Sequence, residues 1–242
     1  MNVYIVIQAR TTSTRLPKKI LLPLGDKTVL EVMLERLSSF KDKIIIATTN
    51  DGTQNEIVDI CKKHKIRYYE GDTNNVLSRY YEACLKYDLK DEDIVIRCTS
   101  DCPFIDSLLI KKAIALYKTS NANYVSLGVH SGFPRGLDTE IFSFKLLKEA
   151  FNNATTDYEK EHVTPYIHTT IKDKIKIEYL KSLENNSNFR ITLDETDDYK
   201  AIKQLFSKLN NSEDFTYDEL ILALKQNPSI VKINSHVEQK KS

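Results

Sequence analysis

The feature that most constrains this 242-residue sequence is an alternation of apolar runs and helical patterns that begins near residue 3. Val3-Tyr4-Ile5-Val6-Ile7 is typical of a buried strand, and a second such run covers residues 43–49. Between them, Thr28 and Glu31 have capping-box spacing, ahead of apolar residues at helical intervals. Repetition of strand and helix predicts an α/β fold whose mostly parallel sheet carries helices on both faces.

Length and charge narrow the class of protein. The length suits one domain, which we expect to cover residues 1–235, with a polar, frayed tail at 236–242. The 35 basic and 34 acidic residues give a net charge of +1, which argues against a nucleic-acid or membrane-surface partner. No apolar run reaches the ~18 residues of a membrane span, and no signal sequence precedes the first strand, so we expect a cytoplasmic protein.

The cysteines predict free thiols. Cys61, Cys84, Cys98 and Cys102 form no recognisable disulfide framework for a chain of this size. Cys98 and Cys102 have the spacing of half a metal site, but no second Cys or His pair at zinc spacing accompanies them. The sequence therefore favours a reducing compartment over a zinc site.

A polar loop at residues 8–19 follows the first strand, where α/β folds commonly bind phosphate. The loop carries four cations, which are Arg10, Arg15, Lys18 and Lys19, and four consecutive hydroxyls at residues 11–14. Cations neutralise phosphate charge, and hydroxyls and backbone N–H groups supply directed hydrogen bonds. On composition alone, a solvated basic loop is an equally good interpretation.

The order of these residues resembles a known family. Residues 9–19 read Ala-Arg-x-x-Ser-Thr-Arg-Leu-Pro-x-Lys, which resembles the N-terminal signature of the CMP-sugar synthetases, or cytidylyltransferases, of the spore-coat polysaccharide and 3-deoxy-manno-octulosonate types. Thr12 and Lys18 stand where family members often have glycine, which would permit positive φ. The resemblance implies a Rossmann-like (GT-A-like) fold and a nucleotide-binding loop that includes Gln8, Ala9, Arg10, Ser13, Arg15 and Lys19.

Further nucleotide contacts are predicted at the same edge of the sheet. Thr49 and Asn50 end the second strand, and Asp72, Asn75 and Arg79 surround a helix start after the third. A pyrimidine base needs donors and acceptors, which such side chains supply. The segment resembles the base-binding Asp-Val-Leu-x-Arg-Tyr-Tyr of the spore-coat type, with Asn75 in place of Asp. Alternatively, Arg79 caps the helix or pairs on the surface.

Two aspartates are candidates for a magnesium site. Asp101 follows the strand at residues 93–98, and an Asp at this position is well placed to hold Mg²⁺ against phosphates. The preceding residue, Ser100, is a candidate nucleotide contact. Asp101 could instead cap the next helix, although Asp106 is better placed to do so. Resemblance to the family segment Val-Asp-Thr-Pro-Glu-Asp-Leu implies Asp194 as the second ligand and puts Asp197 and Asp198 in a first helical turn.

Candidate acceptor-binding residues lie in the second half of the chain. Residues 136–140 resemble the family's Gly-Leu-Asp-x-Glu segment, so Arg135, Asp138 and Glu140 are predicted to contact the acceptor; internal ion pairing explains them equally well. His162 lies in a Glu-His-Val-Thr-Pro-Tyr segment like that of the spore-coat type and is either an acceptor contact or structural. Arg190, in the Asp194 segment, is a further candidate.

The resemblance also implies a homodimer. In related synthetases the region after the central strands forms a β/helical arm that closes over the partner's site, which here corresponds to residues 130–185. Within it, the alternation at residues 175–180 predicts an antiparallel strand.

Five ordered motifs between Val3 and Tyr199 carry the resemblance. It implies transfer of CMP from CTP to a sugar acid or related building block of a surface polysaccharide, with Mg²⁺ as cofactor and pyrophosphate released. Arg10, Arg15 and Lys19 would stabilise the charge on the leaving group. The alternatives are a phosphorylated sugar or alcohol as acceptor, a GT-A glycosyltransferase, which would leave the basic cluster unexplained, and a non-catalytic nucleotide-binding protein.

Overall fold

The computed structural model describes residues 1–238, so residues 239–242 of the tail predicted to be frayed lie outside the described part. The strands are β1 Val3–Ala9, β2 Pro23–Leu24, β3 Lys27–Thr28, β4 Ile44–Thr49, β5 Arg67–Gly71, β6 Ile94–Thr99, β7 Tyr124–Leu127, β8 Thr139–Ser143 and β9 Ile177–Tyr179. The α-helices are α1 Val29–Arg36, α2 Asn55–His64, α3 Val76–Lys86, α4 Ser107–Ser120, α5 Phe144–Asn153, α6 Asp157–His162, α7 Thr196–Lys208, α8 Tyr217–Gln226 and α9 Pro228–Ile233. Short 3₁₀ turns cover Lys19–Leu21, Ser38–Lys43, Val129–Ser131 and Lys172–Lys174, and a π-helical turn covers Tyr166–Thr170.

A seven-stranded sheet in the order β5-β4-β1-β6-β8-β7-β9 forms the centre of the molecule, and β2 and β3 form a separate two-stranded hairpin. β1 pairs in parallel with β4 on one side and with β6 on the other. β8 runs antiparallel to both β6 and β7. The predicted α/β architecture with a mostly parallel sheet is therefore confirmed.

Helices cover both faces of this sheet, as predicted. Successive residues of a strand point to opposite faces, so Ile5 and Ile7 belong to one apolar core and Val6 belongs to the other. The first core packs against α1, α2, α4, α7 and α8, and the second packs against α3 and α5. Both faces of the central strands are thus buried, which is why these strands are apolar throughout.

The predicted helix starts are confirmed at three places. Thr28 and Glu31 form a full capping box on α1. The carboxylate of Asp106 accepts the backbone N–H groups of Leu108 and Leu109 and so caps α4, which leaves Asp101 available for another role. Asp197 and Asp198 lie in the first turn of α7.

One strand orientation was predicted wrongly. β9 lies at the sheet edge and runs parallel to β7, not antiparallel to its neighbour. The alternation of its residues indicates only that one face is covered, because period 2 is the same in either orientation. Residues 130–185, which the resemblance assigns to an arm, supply β8 and β9 to the main sheet, together with α5 and α6. Whether this region forms a dimer contact stays a prediction.

Across residues 1–238, the helices are all too short or too polar to cross a lipid bilayer.

Candidate active site

A cavity of about 580 Å³ opens at the carboxyl ends of β1 and β6. In an open α/β sheet, a crevice forms at this edge where the chain direction of successive connections reverses, and ligands bind there. Here β1 continues toward β4 on one side while β6 lies on the other. The cavity is lined by Gln8, Ala9, Arg10, Thr12, Ser13, Thr14, Arg15, Lys19, Ile20, Val76, Arg79, Thr99, Ser100, Asp101, Glu161, His162 and Asp194.

The loop after β1 wraps one side of this cavity. The backbone N–H of Lys18 donates to the carbonyl of Thr11 at 2.9 Å, which closes the loop on itself. The Thr11 hydroxyl donates to the Thr53 carbonyl at 3.1 Å and ties the loop to the segment before α2. Lys18 has φ 54, so this chain adopts the left-handed conformation at the position where glycine is often found in the resembling family. Thr12 is not among the described residues with positive φ.

Lys19 joins the two predicted metal ligands. Its Nζ lies 2.7 Å from Asp101 Oδ2 and 2.9 Å from Asp194 Oδ1, and Arg15 Nη2 lies 3.2 Å from the same oxygen of Asp194. Burial opposes a charge on Lys19, but the two carboxylates outweigh it and raise the pKa of this lysine. Burial also opposes ionisation of Asp194, but Lys19 and Arg15 lower the pKa of that carboxyl. Lys19 and Asp194 therefore stay charged at neutral pH.

Asp194 reaches the cavity from a segment with little regular structure. The Leu193 N–H donates to the Asp101 carbonyl at 2.9 Å, so the two aspartates are brought together through the backbone as well as through Lys19. Arg190 fixes the outer oxygen, since its Nη2 donates to Asp194 Oδ2 at 3.0 Å and its Nε donates to the fully buried Asp198 at 2.8 Å. Gly136 permits this arrangement, because a Cβ there would lie 2.6 Å from the Ile191 carbonyl carbon.

Arg79 forms the buried floor beside the loop. The residue is only 1% exposed, and its Nε and Nη1 have no hydrogen-bond partner among the described residues. Burial lowers the pKa of this guanidinium to about 10, which leaves it charged at neutral pH. A buried donor without an acceptor costs free energy unless a ligand supplies one. The two unpaired atoms therefore mark a place where an acceptor-rich ligand fits.

α6 and the turn after it form the opposite wall. Glu161 and His162 line the cavity, and the rings of His162 and Tyr158 lie 4.8 Å apart. Val163, directly after His162, has φ 70 and ψ −54, and the Thr164 N–H donates to the His162 carbonyl at 2.8 Å. This is a three-residue γ-turn of the strained kind, and positive φ is rare for a β-branched residue.

Eleven of the predicted site residues line the cavity together. They are Gln8, Ala9, Arg10, Ser13, Arg15, Lys19, Arg79, Ser100, Asp101, His162 and Asp194. They come from the end of β1 and the loop after it, from α3, from the turn after β6 and from two segments that follow α5. The sequence motifs thus identify the residues that form the cavity, and their individual roles stay predictions.

Four predicted nucleotide contacts do not line this cavity and make local hydrogen bonds, so their contact with a nucleotide stays a prediction. Thr49 is fully buried and donates its hydroxyl to Asp51 at 3.1 Å. Asn50 is exposed and donates its backbone N–H to the Gly71 carbonyl. The Asp72 carboxylate accepts the N–H groups of residues 74 and 75, and the Asn75 side chain caps α3 by accepting the N–H of residue 78 at 2.9 Å.

The predicted acceptor contacts other than His162 do not line the cavity, and contact of these residues with an acceptor stays a prediction. Glu140 forms an internal ion pair with Arg97, the alternative noted from the sequence. Arg190 holds Asp194 and Asp198 in place. Asp138 accepts the Gly136 N–H at 2.9 Å, and burial raises the pKa of its carboxyl. Arg135 exchanges backbone hydrogen bonds with residues 189 and 191.

Several lining residues were missed as site residues: Thr12, Thr14, Ile20, Val76, Thr99 and Glu161. Thr12 and Thr14 belong to the run of hydroxyls at residues 11–14, which the sequence does not assign to individual contacts. Glu161 directly precedes His162 in the Glu-His-Val-Thr-Pro-Tyr segment. Val76 lies within the segment that resembles the base-binding motif, and Ile20 has no such signal, since an apolar residue that faces a cavity looks like a core residue in sequence.

Comparisons with known proteins agree with this geometry. The family model described as "Cytidylyltransferase" matches residues 4–235. The spore coat polysaccharide biosynthesis protein SpsF of Bacillus subtilis is 30% identical over 238 residues, which cover 94% of this chain and 95% of that protein. A 3-deoxy-manno-octulosonate cytidylyltransferase of Francisella tularensis is 36% identical over 118 residues, 48% of this chain and 46% of that protein. A solved cytidylyltransferase from Leptospira borgpetersenii superposes with a TM-score of 0.89 at 34% identity and full coverage of both chains. This chain therefore belongs to the cytidylyltransferase family of CTP-dependent nucleotidyltransferases.

Proposed function

We propose that this enzyme transfers CMP from CTP to a hydroxyl of a sugar acid, with release of pyrophosphate, during the synthesis of a surface polysaccharide. The observation that carries the proposal is the convergence of Lys19, Arg15, Asp101 and Asp194 in the cavity at the sheet edge. The acceptor class is suggested by the Francisella relative, whose name specifies a sugar acid, and the pathway by the Bacillus relative.

The donor set of the cavity fits a magnesium ion. Asp101 and Asp194 converge on one point, and that point already attracts a cation, the Lys19 ammonium. No group of three or more His, Cys, Asp or Glu side chains within residues 1–238 is arranged to hold a metal. Two carboxylates are nevertheless what Mg²⁺ uses at nucleotide sites, where phosphates and waters complete its shell. Bound between Asp101 and Asp194, Mg²⁺ would supply Lewis-acid stabilisation of phosphoryl charge.

The chain's own residues act on the triphosphate by charge and position. Arg10, Arg15 and Lys19 line the cavity and would stabilise the negative charge that develops on the β- and γ-phosphates. The acceptor oxygen bonds to the α-phosphorus, the bond from that phosphorus to the β-phosphate oxygen breaks, and the hydroxyl proton is released. Phosphoryl-type transfer needs positioning more than a protein nucleophile.

Arg79 is the proposed recognition point for the base. Cytosine presents two acceptors, O2 and N3, on its pairing edge, and Arg79 at the cavity floor has two unpaired donor atoms, Nε and Nη1. A site built to hydrogen-bond a particular edge rejects ligands that leave its buried donors unpaired. This gives a physical reason for preferring CTP.

The test is pyrophosphate release with Mg²⁺, using CTP, UTP, ATP or GTP against a panel of 2-keto sugar acids and of sugar and polyol phosphates. We expect release with CTP and a 2-keto sugar acid, and loss of release in Asp101→Ala. Asp91→Ala, which removes an exposed carboxylate outside the cavity, is the matched control. Release with a phosphorylated acceptor alone would replace the sugar acid in this proposal, and no release with any pair would contradict it.

We further propose that the enzyme is a homodimer that works in the cytoplasm. All four cysteines are free and buried, which suits a reducing compartment. The dimer is inferred from the resembling synthetases. Light scattering of the purified protein at micromolar concentration tests it, since a mass near 27.9 kDa would indicate a monomer.

A further inference from the structure

The γ-turn at His162-Val163-Thr164 is the one place in the cavity wall where a β-branched residue of the described chain has positive φ. Val163 is fully buried, so the turn is packed inside the protein and is not an exposed loop. Backbone strain of this kind is unfavourable and persists only where surrounding contacts impose it. The contacts that impose it here are therefore informative.

Thr164 provides the first of these contacts. It is 2% exposed, and its hydroxyl donates to Glu140 Oε1 at 2.8 Å. Its backbone N–H closes the turn on the His162 carbonyl. One residue thus both forms the turn and anchors it to strand β8, on which Glu140 lies.

The anchor itself is fixed by ionic and neutral partners. Glu140 lies directly opposite Arg97 in the β6–β8 register and forms an ion pair with it. The Tyr124 hydroxyl, from β7, donates to the same oxygen of Glu140 as Thr164. Arg97 Nη2 also donates to Gln8 Oε1 at 3.4 Å, and Gln8 lies in the opposite wall of the cavity. The ion pair of Glu140 and Arg97 therefore connects β1, which leads into the loop at residues 8–19, with the turn that contains His162.

We propose that Thr164 and Glu140 are positioning residues, which hold the strained turn so that the His162 ring faces the acceptor side of the cavity. That an acceptor binds on this side of the cavity rests on the proposed function. The geometry of the turn does not depend on the proposed function. Neither Thr164 nor Glu140 lines the cavity, so both act on the reaction through His162.

The test compares Thr164→Val, which keeps the side-chain shape and removes the hydroxyl, with Thr164→Ser, which keeps the hydroxyl. The chain contains five histidines, so a histidine-labelled protein gives few imidazole NMR signals, and His162→Gln identifies that of residue 162. Without any ligand, we expect the His162 signal to shift and broaden in Thr164→Val and to be retained in Thr164→Ser. The signals of His64, His130 and His236 should stay unchanged, whereas His168 contacts both Thr164 and Tyr124 and is not a control. An unchanged His162 signal in Thr164→Val would overturn the proposal.

Catalysis provides the second measurement, with CTP and the sugar acid that the acceptor panel identifies. If Thr164 positions His162, Thr164→Val should lower kcat about tenfold or more and leave the KM for CTP unchanged. Its melting temperature should stay close to that of wild type, and Thr164→Ser should recover the wild-type kcat. Equal losses in both variants would assign Thr164 a purely structural role. If the wild-type protein uses no acceptor at all, the proposed function fails while the NMR comparison still decides the positioning role.

Discussion

Lys19 Nζ lies 2.9 Å from Asp194 Oδ1 and 2.7 Å from Asp101 Oδ2, so an ammonium group stands between the two carboxylates proposed to hold Mg²⁺. The side chains are largely buried, at 13% exposed for Lys19 and 11% for Asp194. Because this ammonium already occupies the place between the two carboxylates, a divalent cation has to displace it. The nucleotide phosphates offer the displaced ammonium a new partner.

The first prediction concerns metal binding in the absence of nucleotide. We expect Lys19→Met to bind Mn²⁺, used as a paramagnetic probe for Mg²⁺, about tenfold more tightly than wild type, which corresponds to about 1.4 kcal/mol. Electron paramagnetic resonance of free Mn²⁺ measures this affinity without any turnover. In the wild type, added CTP should strengthen Mn²⁺ binding.

Lys18→Met is the matched control, because Lys18 is the neighbouring residue and its ammonium pairs with Glu56, away from both aspartates. Its Mn²⁺ affinity should equal that of wild type. Weaker Mn²⁺ binding in Lys19→Met than in wild type would show that Lys19 does not compete for this position. If Asp101→Ala leaves the Mn²⁺ affinity unchanged, the proposed metal site is wrong.

A second prediction follows from the unpaired guanidinium of Arg79. Burial disfavours the charged form and lowers the pKa to about 10, so this residue costs stability in the empty protein. We expect Arg79→Met to raise the free energy of unfolding by about 1 kcal/mol or more, because a buried group with unsatisfied donors is removed. The same change should weaken CTP binding at least tenfold.

Chemical denaturation and calorimetric titration with CTP check the two halves of this prediction. Arg67→Met, which removes an exposed arginine on the edge strand β5, should leave CTP binding unchanged. A destabilised Arg79→Met variant that still binds CTP normally would mean that Arg79 serves the fold and not the nucleotide.

The sequence predicts the cavity far better than it predicts individual contacts. The strand, loop and cap patterns depend on neighbouring residues, so β1, its loop and the capping box of Thr28 could be read locally. The meeting of Asp101 and Asp194 joins residues 93 positions apart, and only the resemblance indicated it. The Lys19 bridge between them depends on the bend after the loop, which no local pattern encodes.

The candidate acceptor contacts show why individual roles are hard to assign from sequence. Glu140 lies among apolar residues at the start of a strand, and a sequence cannot tell a carboxylate that faces a ligand from one that pairs with Arg97 on the neighbouring strand. Similarly, Asn75 and Asp72 are polar at the correct sheet edge, yet their oxygens are used to cap α3 and its preceding turn. Local capping and ligand binding use the same residue types, so composition does not separate them.

A third prediction uses the carboxyl of Glu31, which is 6% exposed in α1. Burial opposes its ionisation, but hydrogen bonds from Lys63, Thr28 and His64 lower the pKa to about 2. A carboxyl whose folded pKa lies below its unfolded value stabilises the protein above the unfolded pKa and loses that effect as the pH falls.

We therefore expect Glu31→Gln, which retains the capping-box geometry, to lower the free energy of unfolding by about 1–2 kcal/mol at pH 7. The difference from wild type should narrow between about pH 4.5 and pH 2. Urea denaturation at a series of pH values measures it. A gap that stays constant down to pH 2 would assign the loss to packing and not to charge.

The last prediction tests whether the loop cations act on the reaction or on the fold. Arg15 contacts Asp194 and Glu195, both at 3.2 Å, and its side chain is 34% exposed. Such partly exposed pairs stabilise proteins by less than about 1 kcal/mol, so Arg15→Ala should change the melting temperature little. Loss of a charge that acts on the leaving pyrophosphate should instead cost about 2–4 kcal/mol in kcat/KM, by analogy with lost oxyanion donors. Lys200→Ala removes a comparable surface pair with Asp197 outside the cavity and should alter neither quantity. Near wild-type turnover in Arg15→Ala would exclude this residue from charge stabilisation, whereas a large drop in melting temperature would identify it as structural.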